Sequence, residues 1–470
     1  MIRRLRSSTP LLWLAGLCLW VPVRSATAPP APVSFVNGWL RANSRAAHAW
    51  DLTGSVRFRY EEKAHAGTFP NRDFAGSQPG SNDFFLFRTV ANVAWKPAPW
   101  FTAQVSGRDS HAGSDVRPTT ETDAFDLQQA WVQWSRPQKW SVKIGRQELI
   151  YGDQRFVGNA EWSNTGRVFD SVRGRLEHGS SWLEAFSGHV VIPRDGHFNT
   201  PNRFDACSGV YGSTRALLPF QDTEAYFLAR NVTASSPTAI TPTLGGPGAR
   251  DIYTLGTRWK SVAAKTGPWD YTVEITAQRG RIDQGARKLE HRAFALDIVA
   301  GRTWAKARGS PRLGLGYDYG SGDSDPNDSR NETFELLFGT NHLLYGNMDL
   351  VGLRNLHAGR LEASIKPNSR LTLALEYMRF WMADTADFFY PESGAGRSSN
   401  GYRRSPELPR SVGSELDLLI DLRPTPTLQV RAGLAHFFTG DYIERSLTRV
   451  AANGAAVDAR WFYLQATANF

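Results

Sequence analysis

From Trp50 onward, apolar and polar side chains alternate with a period of two, not 3.6, which predicts strands and not helices. In SVRFRYE, Val56, Phe58 and Tyr60 share one face, and Arg57, Arg59 and Glu61 share the other. In DIYTLGTRWK, Tyr253, Leu255 and Trp259 oppose Thr254, Arg258 and Lys260. In WDYTVEITAQ, Tyr271, Val273, Ile275 and Ala277 oppose Thr272, Glu274, Thr276 and Gln278. Further copies run through 311–319, 360–366, 370–377, 414–422 and 428–434, so such strands cover most of the chain.

A soluble sandwich also alternates in this way, with its polar face in water. Three features favour a membrane barrel. The segments run to about ten residues, the length a tilted membrane strand needs. Aromatics gather at segment ends (Trp95/Trp100, Trp131/Trp134/Trp140, Phe380/Trp381), where interfacial girdles form. Short Pro/Gly/Ser turns alternate with long polar loops, as periplasmic turns do with extracellular loops.

Short turns fall at 96–99, 136–139, 178–181, 264–268, 305–310, 366–369 and 423–427. Long connections fall at 62–82, 109–125, 151–166, 192–250, 320–355, 384–410 and 439–458, and 280–289 is a shorter one on the same side. These connections join 16 strands with both termini on the short-turn side, and 192–250 has room for one more hairpin, with 222–231 its visible strand. The fold class expected is therefore all-β, a transmembrane antiparallel β-barrel of 16–18 strands. The closing run RWFYLQATANF alternates Phe462, Leu464, Ala466, Ala468 and Phe470 with Trp461, Tyr463, Gln465, Thr467 and Asn469. A terminal strand of this kind suits a barrel that leaves no edge unpaired in lipid.

The start of the chain has a different character. Arg3, Arg4 and Arg6 precede an apolar run from Leu11 to Val23, with Val23 and Ser25 placed for cleavage after Ser25. This reads as a Sec-type signal peptide over 1–25, too short to be a membrane helix. A periplasmic segment over 26–50 follows, amphipathic from Phe35 to His48, and the barrel occupies 51–470. Residues 1–25 hold four arginines and no acid, so their removal lowers the net charge from +9 to +5. The mature chain is only mildly basic, and no basic–aromatic run suggests nucleic acid. Cys207 is its sole cysteine, which excludes an intrachain disulfide and reads as an isolated loop thiol. Aromatics make up 12% of the chain while mean hydropathy is −0.39, a mixture that a barrel reconciles because its strands hide their lipid face from any windowed average.

Several motifs converge on a family. DLQQAWVQW, KIGRQELIYGDQRFVG, EWSNTGRVFDSVR, NHLLYGNMDLVGLRN, GSELDLL and AHFFTGDYI resemble the alginate-export family of outer-membrane porins, from about Val56 to Phe470. The resemblance implies an 18-stranded monomeric barrel, so 18 is preferred to 16, and an arginine-rich lumen that passes an anionic polysaccharide.

Strand parity places Arg57, Arg59, Lys143, Arg173, Arg175, Arg258, Lys260, Arg312 and Arg431 away from the apolar face. Rings of Arg or Lys in a polar bore select anions, and an Arg fork grips a uronate carboxylate bidentately. The competing reading is that these charges brace the wall by pairing with inward acids such as Glu415 and Asp417. The stretch Gly145–Arg173 holds Arg146, Glu148, Asp153, Arg155, Trp162, Arg167 and Asp170. It is expected to be a channel-mouth loop after a bulge or strand end at Gly145, its charges pairing within the loop and Trp162 free to stack on a sugar. The adjacent carboxylates Glu148 and Asp153 would interest a glycosidase, but closeness in sequence does not set the separation that chemistry needs. No G-x-S-x-G, H-E-x-x-H or P-loop occurs, and His342, His357 and His436 read as bracing or interfacial. Asp323, Asp325 and Asn327 open like a calcium loop, but Phe334 stands where the bidentate Glu belongs, so 321–332 reads as a solvated loop without metal.

The expectation is thus a bacterial outer-membrane porin or exporter, not an enzyme, with no cofactor. Its partners would be the lipid bilayer, an anionic polysaccharide or oligosaccharide and periplasmic export machinery. The alternatives are a general porin for small anionic or sugar solutes, and a plugged adhesive barrel with partner-binding loops.

Overall fold

The computed structural model describes residues 35–44, 46–66, 73–77, 81–115, 121–233, 248–284, 287–340, 342, 344–394, 396–397, 402 and 404–470. The expected signal peptide and residues 26–34 lie outside them. Period-two alternation becomes one closed antiparallel barrel of 18 strands. The first nine are β1 (Trp50–Ala64), β2 (Ser81–Ala98), β3 (Phe101–Gly113), β4 (Asp123–Arg136), β5 (Trp140–Gln147), β6 (Phe169–His178), β7 (Ser181–Ile192), β8 (Thr200–Thr214) and β9 (Gln221–Val232). The second nine are β10 (Arg250–Ser261), β11 (Trp269–Gln284), β12 (Arg287–Thr303), β13 (Arg312–Gly320), β14 (Leu356–Asn368), β15 (Leu371–Met382), β16 (Ser411–Thr425), β17 (Leu428–Thr439) and β18 (Ala459–Asn469). Each strand pairs with its sequence neighbour, and β18 returns to β1 with Arg57 opposite Thr467 and Phe58 opposite Ala466. No edge remains for lipid to expose. A two-residue ladder, Arg330–Asn331, runs parallel to β12 in addition.

The hairpin concealed in 192–250 is β8–β9, and it decides the count of 18. It also corrects Cys207, which is a buried β8 residue and not a loop thiol. The alternation in β8 is diluted by Gly209 and Gly212, which carry no side chain for a pattern to register. The amphipathic start is a helix, Phe35–Asn43, whose Asn37 Oδ1 accepts from Leu52 N–H at 2.7 Å, where β1 extends beyond its β18 partner.

The barrel is inverted relative to a soluble protein. Phe58, Phe85, Phe87, Leu255, Leu315 and Leu434 stand exposed, while Arg57, Arg59, Arg88, Arg108 and Arg258 are buried. The exposed face is the lipid face. Trp50, Trp95, Trp100, Trp134, Trp140, Trp269 and Trp304 cluster at its short-turn rim, forming the expected aromatic girdle. Two of the aromatics assigned to the girdle face inward instead. Trp131 lies beneath Lys143 Nζ, 3.6 Å from the ring centroid, and Phe380 is buried against Phe437. The apolar residues facing inward accumulate towards the long-loop ends of the strands, where the loops turn into the lumen and pack. Phe156, Val157, Phe334, Leu336, Phe338, Tyr345, Phe389 and Tyr442 form one core there with Phe169, Ile252, Phe380 and Phe437 of the wall. Inward residues nearer the turns, such as Arg173, Arg175 and Arg431, keep partial exposure. The half of the lumen below the long loops is therefore packed, and the half above the short turns is more open. A cavity of about 670 Å³ opens there between Lys139, Arg175, Glu177, Trp182, Arg215 and Asp222.

Leu255, mid-strand in β10 and 65% exposed, tests the lipid face. Leu255→Arg is expected to destabilise the barrel by about 2–4 kcal/mol, the range for a charge at the bilayer midplane. Urea unfolding of the vesicle-embedded protein measures it.

Candidate functional site: a loop strung across a charged lumen

The segment between β5 and β6, residues 148–168, does not stand at a mouth. It enters the lumen and crosses it, and the two ends of its path meet walls of opposite charge.

On one side, Arg155 reaches three carboxylates on successive strands: Glu274 of β11 at 3.2 Å, Asp297 of β12 at 2.7 Å and Asp318 of β13 at 3.3 Å. Tyr345 Oη accepts a further bond from it. Two residues earlier, Asp153 receives Arg258 at 2.9 Å and Lys260 at 2.7 Å, both from β10. Burial opposes ionisation of Asp153, but Arg258 and Lys260 outweigh it and hold the carboxyl at about 2. Burial likewise opposes the Arg155 charge, and Asp297, Tyr345 and Asp318 more than restore it.

On the other side stand Arg57 and Arg59 of β1, Arg88 of β2 and Arg108 of β3. Arg59 pairs with Glu61 at 2.8 Å and Arg108 with Asp123 within the wall itself, and all four also donate to loop main-chain carbonyls. Arg57 donates to Glu161 O at 2.9 Å and Ser163 O at 3.2 Å, and Arg59 donates to Trp162 O at 2.8 Å. Ser110 donates to Asn164 O at 2.8 Å, and Arg108 donates to Thr165 O. Arg88 takes the Glu161 carboxylate. Burial disfavours the Glu161 charge, yet Arg88 and Arg57 hold its pKa below the usual range. Its side chain nevertheless keeps 59% exposure.

Between these anchorages the loop meets a second inward segment, 321–355. Val157 bridges to Phe338, and Arg167 donates to the carbonyls of Phe338 and Gly339. Trp162 is stacked on His342 with centroids 3.9 Å apart, and the Arg59 guanidinium lies 3.7 Å over its indole. Neither ring face is free for a sugar.

All nine expected pore-lining cations face inward, and most have carboxylate partners. Arg173 and Arg175 reach Glu184, Arg175 also reaches Glu177, Arg312 reaches Asp270 and Glu362, and Arg431 reaches Asp421. Lys143 has no ion pair among the described residues. The loop charges differ from expectation, since Asp153 and Arg155 pair with the wall and Arg146 with Asp170 of β6. A short loop cannot satisfy buried charges from its own few side chains once it leaves water. Glu415 and Asp417 also differ. Glu415 accepts backbone N–H groups of Asn347 and Met348, and Asp417 lies opposite Glu376, so neither serves an arginine among the described residues. Gly145 sits two residues inside the end of β5 at φ +126°, and a Cβ there would meet Ala130 O at 2.2 Å, which fixes glycine at this close approach. His357 bonds Tyr317 and His436 reaches Asp458, both on the outer side, while Asp325 and Asp328 cap turns of the 321–332 loop.

Arg88 and Arg108 escaped sequence reading. Arg88 follows Phe84-Phe85-Leu86-Phe87, where inward Phe84 and Leu86 pack the core and erase the alternation. Arg108 lies in SGRDS, flanked by residues too small to show a face, next to register shifts.

The sequence profile described as "Alginate export" matches residues 50–456. The chain belongs to the alginate export family. Among solved structures, this alginate-export barrel is similar to OccD3 (OpdP) of Pseudomonas aeruginosa, with 13% identity, TM-score 0.57 and coverage of 90% of this chain and 91% of that one. It is also similar to Acinetobacter baumannii OccAB3, with 11% identity, TM-score 0.59 and coverage of 89% and 99%. A third is P. aeruginosa OccK2 (OpdF), solved in complex with glucuronate, with 12% identity, TM-score 0.56 and coverage of 90% and 99%. At such identities the likeness establishes the fold. No curated protein matches the sequence. Family membership, the closed barrel and its lipid-facing exterior make the protein an outer-membrane porin that passes solutes.

Two outcomes test the loop's anchorage. Arg155→Ala leaves Glu274 and Asp297 without this cation and Asp318 with Arg360 alone, and is expected to cost about 3–5 kcal/mol in urea unfolding. Glu148, at the loop's start, has its carboxyl raised from 4.5 to about 7 by burial and then by Glu161. A raised acid pKa makes its contribution to docking complete below the unfolded value and lost as pH rises from there through about 7. Hydrogen exchange of residues 148–168 is therefore expected to accelerate across that window, and Glu148→Gln removes the dependence.

Proposed function

We propose that this porin conducts anionic saccharides, with an alginate-like polyuronate as the cargo, along the basic side of its lumen. The observation that carries this reading is a pair of like-charge contacts in the register of the wall. Arg57 lies directly opposite Arg88, and Lys143 directly opposite Arg173. Like charges facing each other across strands destabilise a sheet; Glu161 bridges the first pair, and Lys143 has no ion pair among the described residues. A passing carboxylate neutralises both members at once, and a guanidinium fork receives it bidentately. Glucuronate, bound in the crystal structure of OccK2, is a sugar acid of this chemistry, and the alginate family name points the same way. Lys143, Arg173 and Arg175 keep partial exposure in the more open half and give weak, successive sites, which permits release as well as entry.

Passage in this reading involves no bond making or breaking and no cofactor. Asp153, one of the two carboxylates a hydrolase reading would use, is committed to Arg258 and Lys260. The barrel acts as a monomer, with periplasmic machinery delivering the polymer to the short-turn side. A second reading, a barrel closed at rest by its loops, is favoured by the apolar core that fills the long-loop half.

Single-channel recording in planar bilayers tests the cargo. The Lys143→Glu/Arg173→Glu variant is expected to shift the reversal potential in a salt gradient towards cation selectivity and to weaken block by polyuronate. Unchanged selectivity removes the basic wall from the transport path.

A further inference from the structure

The basic wall holds more than a loop. The acceptors it grips are five consecutive main-chain oxygens, those of Glu161, Trp162, Ser163, Asn164 and Thr165, and each receives a side-chain donor from β1, β2 or β3. Arg88 adds a longer bond to Ser163 O at 3.5 Å. Helices and sheets normally satisfy carbonyls with main-chain N–H groups. Here an unbroken run of partial negative charges lies along a row of guanidinium groups, the arrangement an extended polyanion would adopt on the same wall. The fit is incomplete in an informative way. The Nε–H groups of Arg57, Arg88 and Arg108 are buried without an acceptor, because a carbonyl engages one arm of a fork where a carboxylate engages two.

The held segment is also bounded as a unit. Arg167 N–H donates to Asn159 O at 2.6 Å and closes its base, with Gly158 before it and Gly166, at φ +63°, within it. The anchors on the far side, Asp153 and Arg155, lie outside this base and do not depend on it.

We propose that Arg57, Arg59, Arg88 and Arg108 form a polyanion-binding site occupied at rest by the carbonyls of 161–165, an internal surrogate that the transported polymer displaces. The inference rests on the proposed anionic cargo. Each arginine–carbonyl bond broken is replaced by a bond to a full negative charge that can engage both arms of the fork, so exchange proceeds without leaving a buried cation unpaired. Glu161, exposed and paired with Arg88, is the first contact an incoming carboxylate competes with.

The full-length protein in planar bilayers tests this with a mannuronate hexamer as probe and maltohexaose as the neutral control. In the wild type, the hexamer is expected to raise open probability and maltohexaose to leave it unchanged. Replacement of 160–165 by two glycines is expected to give a pore open in KCl alone, which the hexamer then blocks. Arg57→Gln/Arg88→Gln, which leaves the loop intact, is expected to raise hexamer-free opening about tenfold or more, since each lost bond to a charged group is worth at least a decade in an equilibrium, and to abolish the hexamer's effect. Heat-modifiable gel migration confirms a folded barrel for each variant. If the shortened loop leaves KCl conductance at the wild-type level, or if the hexamer blocks the shortened pore but never opens the wild type, the surrogate is overturned and the cargo reading stands. If the hexamer fails even to block the shortened pore, the cargo reading itself falls, and the surrogate with it.

Discussion

Charge buried in a wall needs a partner, and in this barrel that requirement organises the interior. An unpaired ion away from water carries a penalty of several kcal/mol, and inward-facing strands supply many ions with little water in the packed half. The segment 148–168 resolves this on both sides. Its Arg155 completes a cluster of three wall acids, its Asp153 answers Arg258 and Lys260, and its carbonyls and Glu161 occupy four wall arginines. The acids of β11–β13 and the arginines of β1–β3 therefore hold the same loop from opposite sides. Each wall also carries pairs of its own, such as Arg59 with Glu61 and Arg360 with Asp318, and the loop adds partners on both sides.

The two anchorages are unequal in kind. Ion pairs at Asp153 and Arg155 exchange one formal charge for another, and removing either partner strands a charge. The arginine–carbonyl contacts pair full positive charges with neutral dipoles, so any carboxylate of suitable reach is a stronger partner than the one in place. The acidic side consequently fixes the loop, and the basic side holds it reversibly. That asymmetry connects a static packing arrangement to the proposed transport, in which the groups that order the loop are the ones an anionic solute uses.

How much of this could be read along the chain depended on whether a residue's role was local. Val56, Phe58 and Tyr60 opposite Arg57, Arg59 and Glu61 announce a strand and its two faces, because a strand's side-chain period is fixed by its backbone. Strand-like turns and the aromatic rim followed from the same regularity. Where the lumen face was itself apolar, as at Phe84 and Leu86, the pattern vanished and took Arg88 with it. Where the residues were small, as around Cys207 and Arg108, there was no pattern to find. Trp131 and Phe380 occupied girdle positions in sequence but turned inward, since position near a strand end does not fix the face.

The sequence alone therefore determined the class of the protein: a closed antiparallel barrel with an apolar exterior, a charged interior, and the motifs of the alginate export family over nearly its whole length. Only the tertiary structure decided what the interior charges do. Strand parity states that a side chain points inward, whereas its partner is set by loops that cross the lumen and by strands far apart in the chain. Gly145–Arg173 shows the difference. Its arginines and acids were visible as a cluster, but whether they paired with one another or with opposite walls depended on where the chain between them was held, and that is fixed by contacts more than a hundred residues away in sequence.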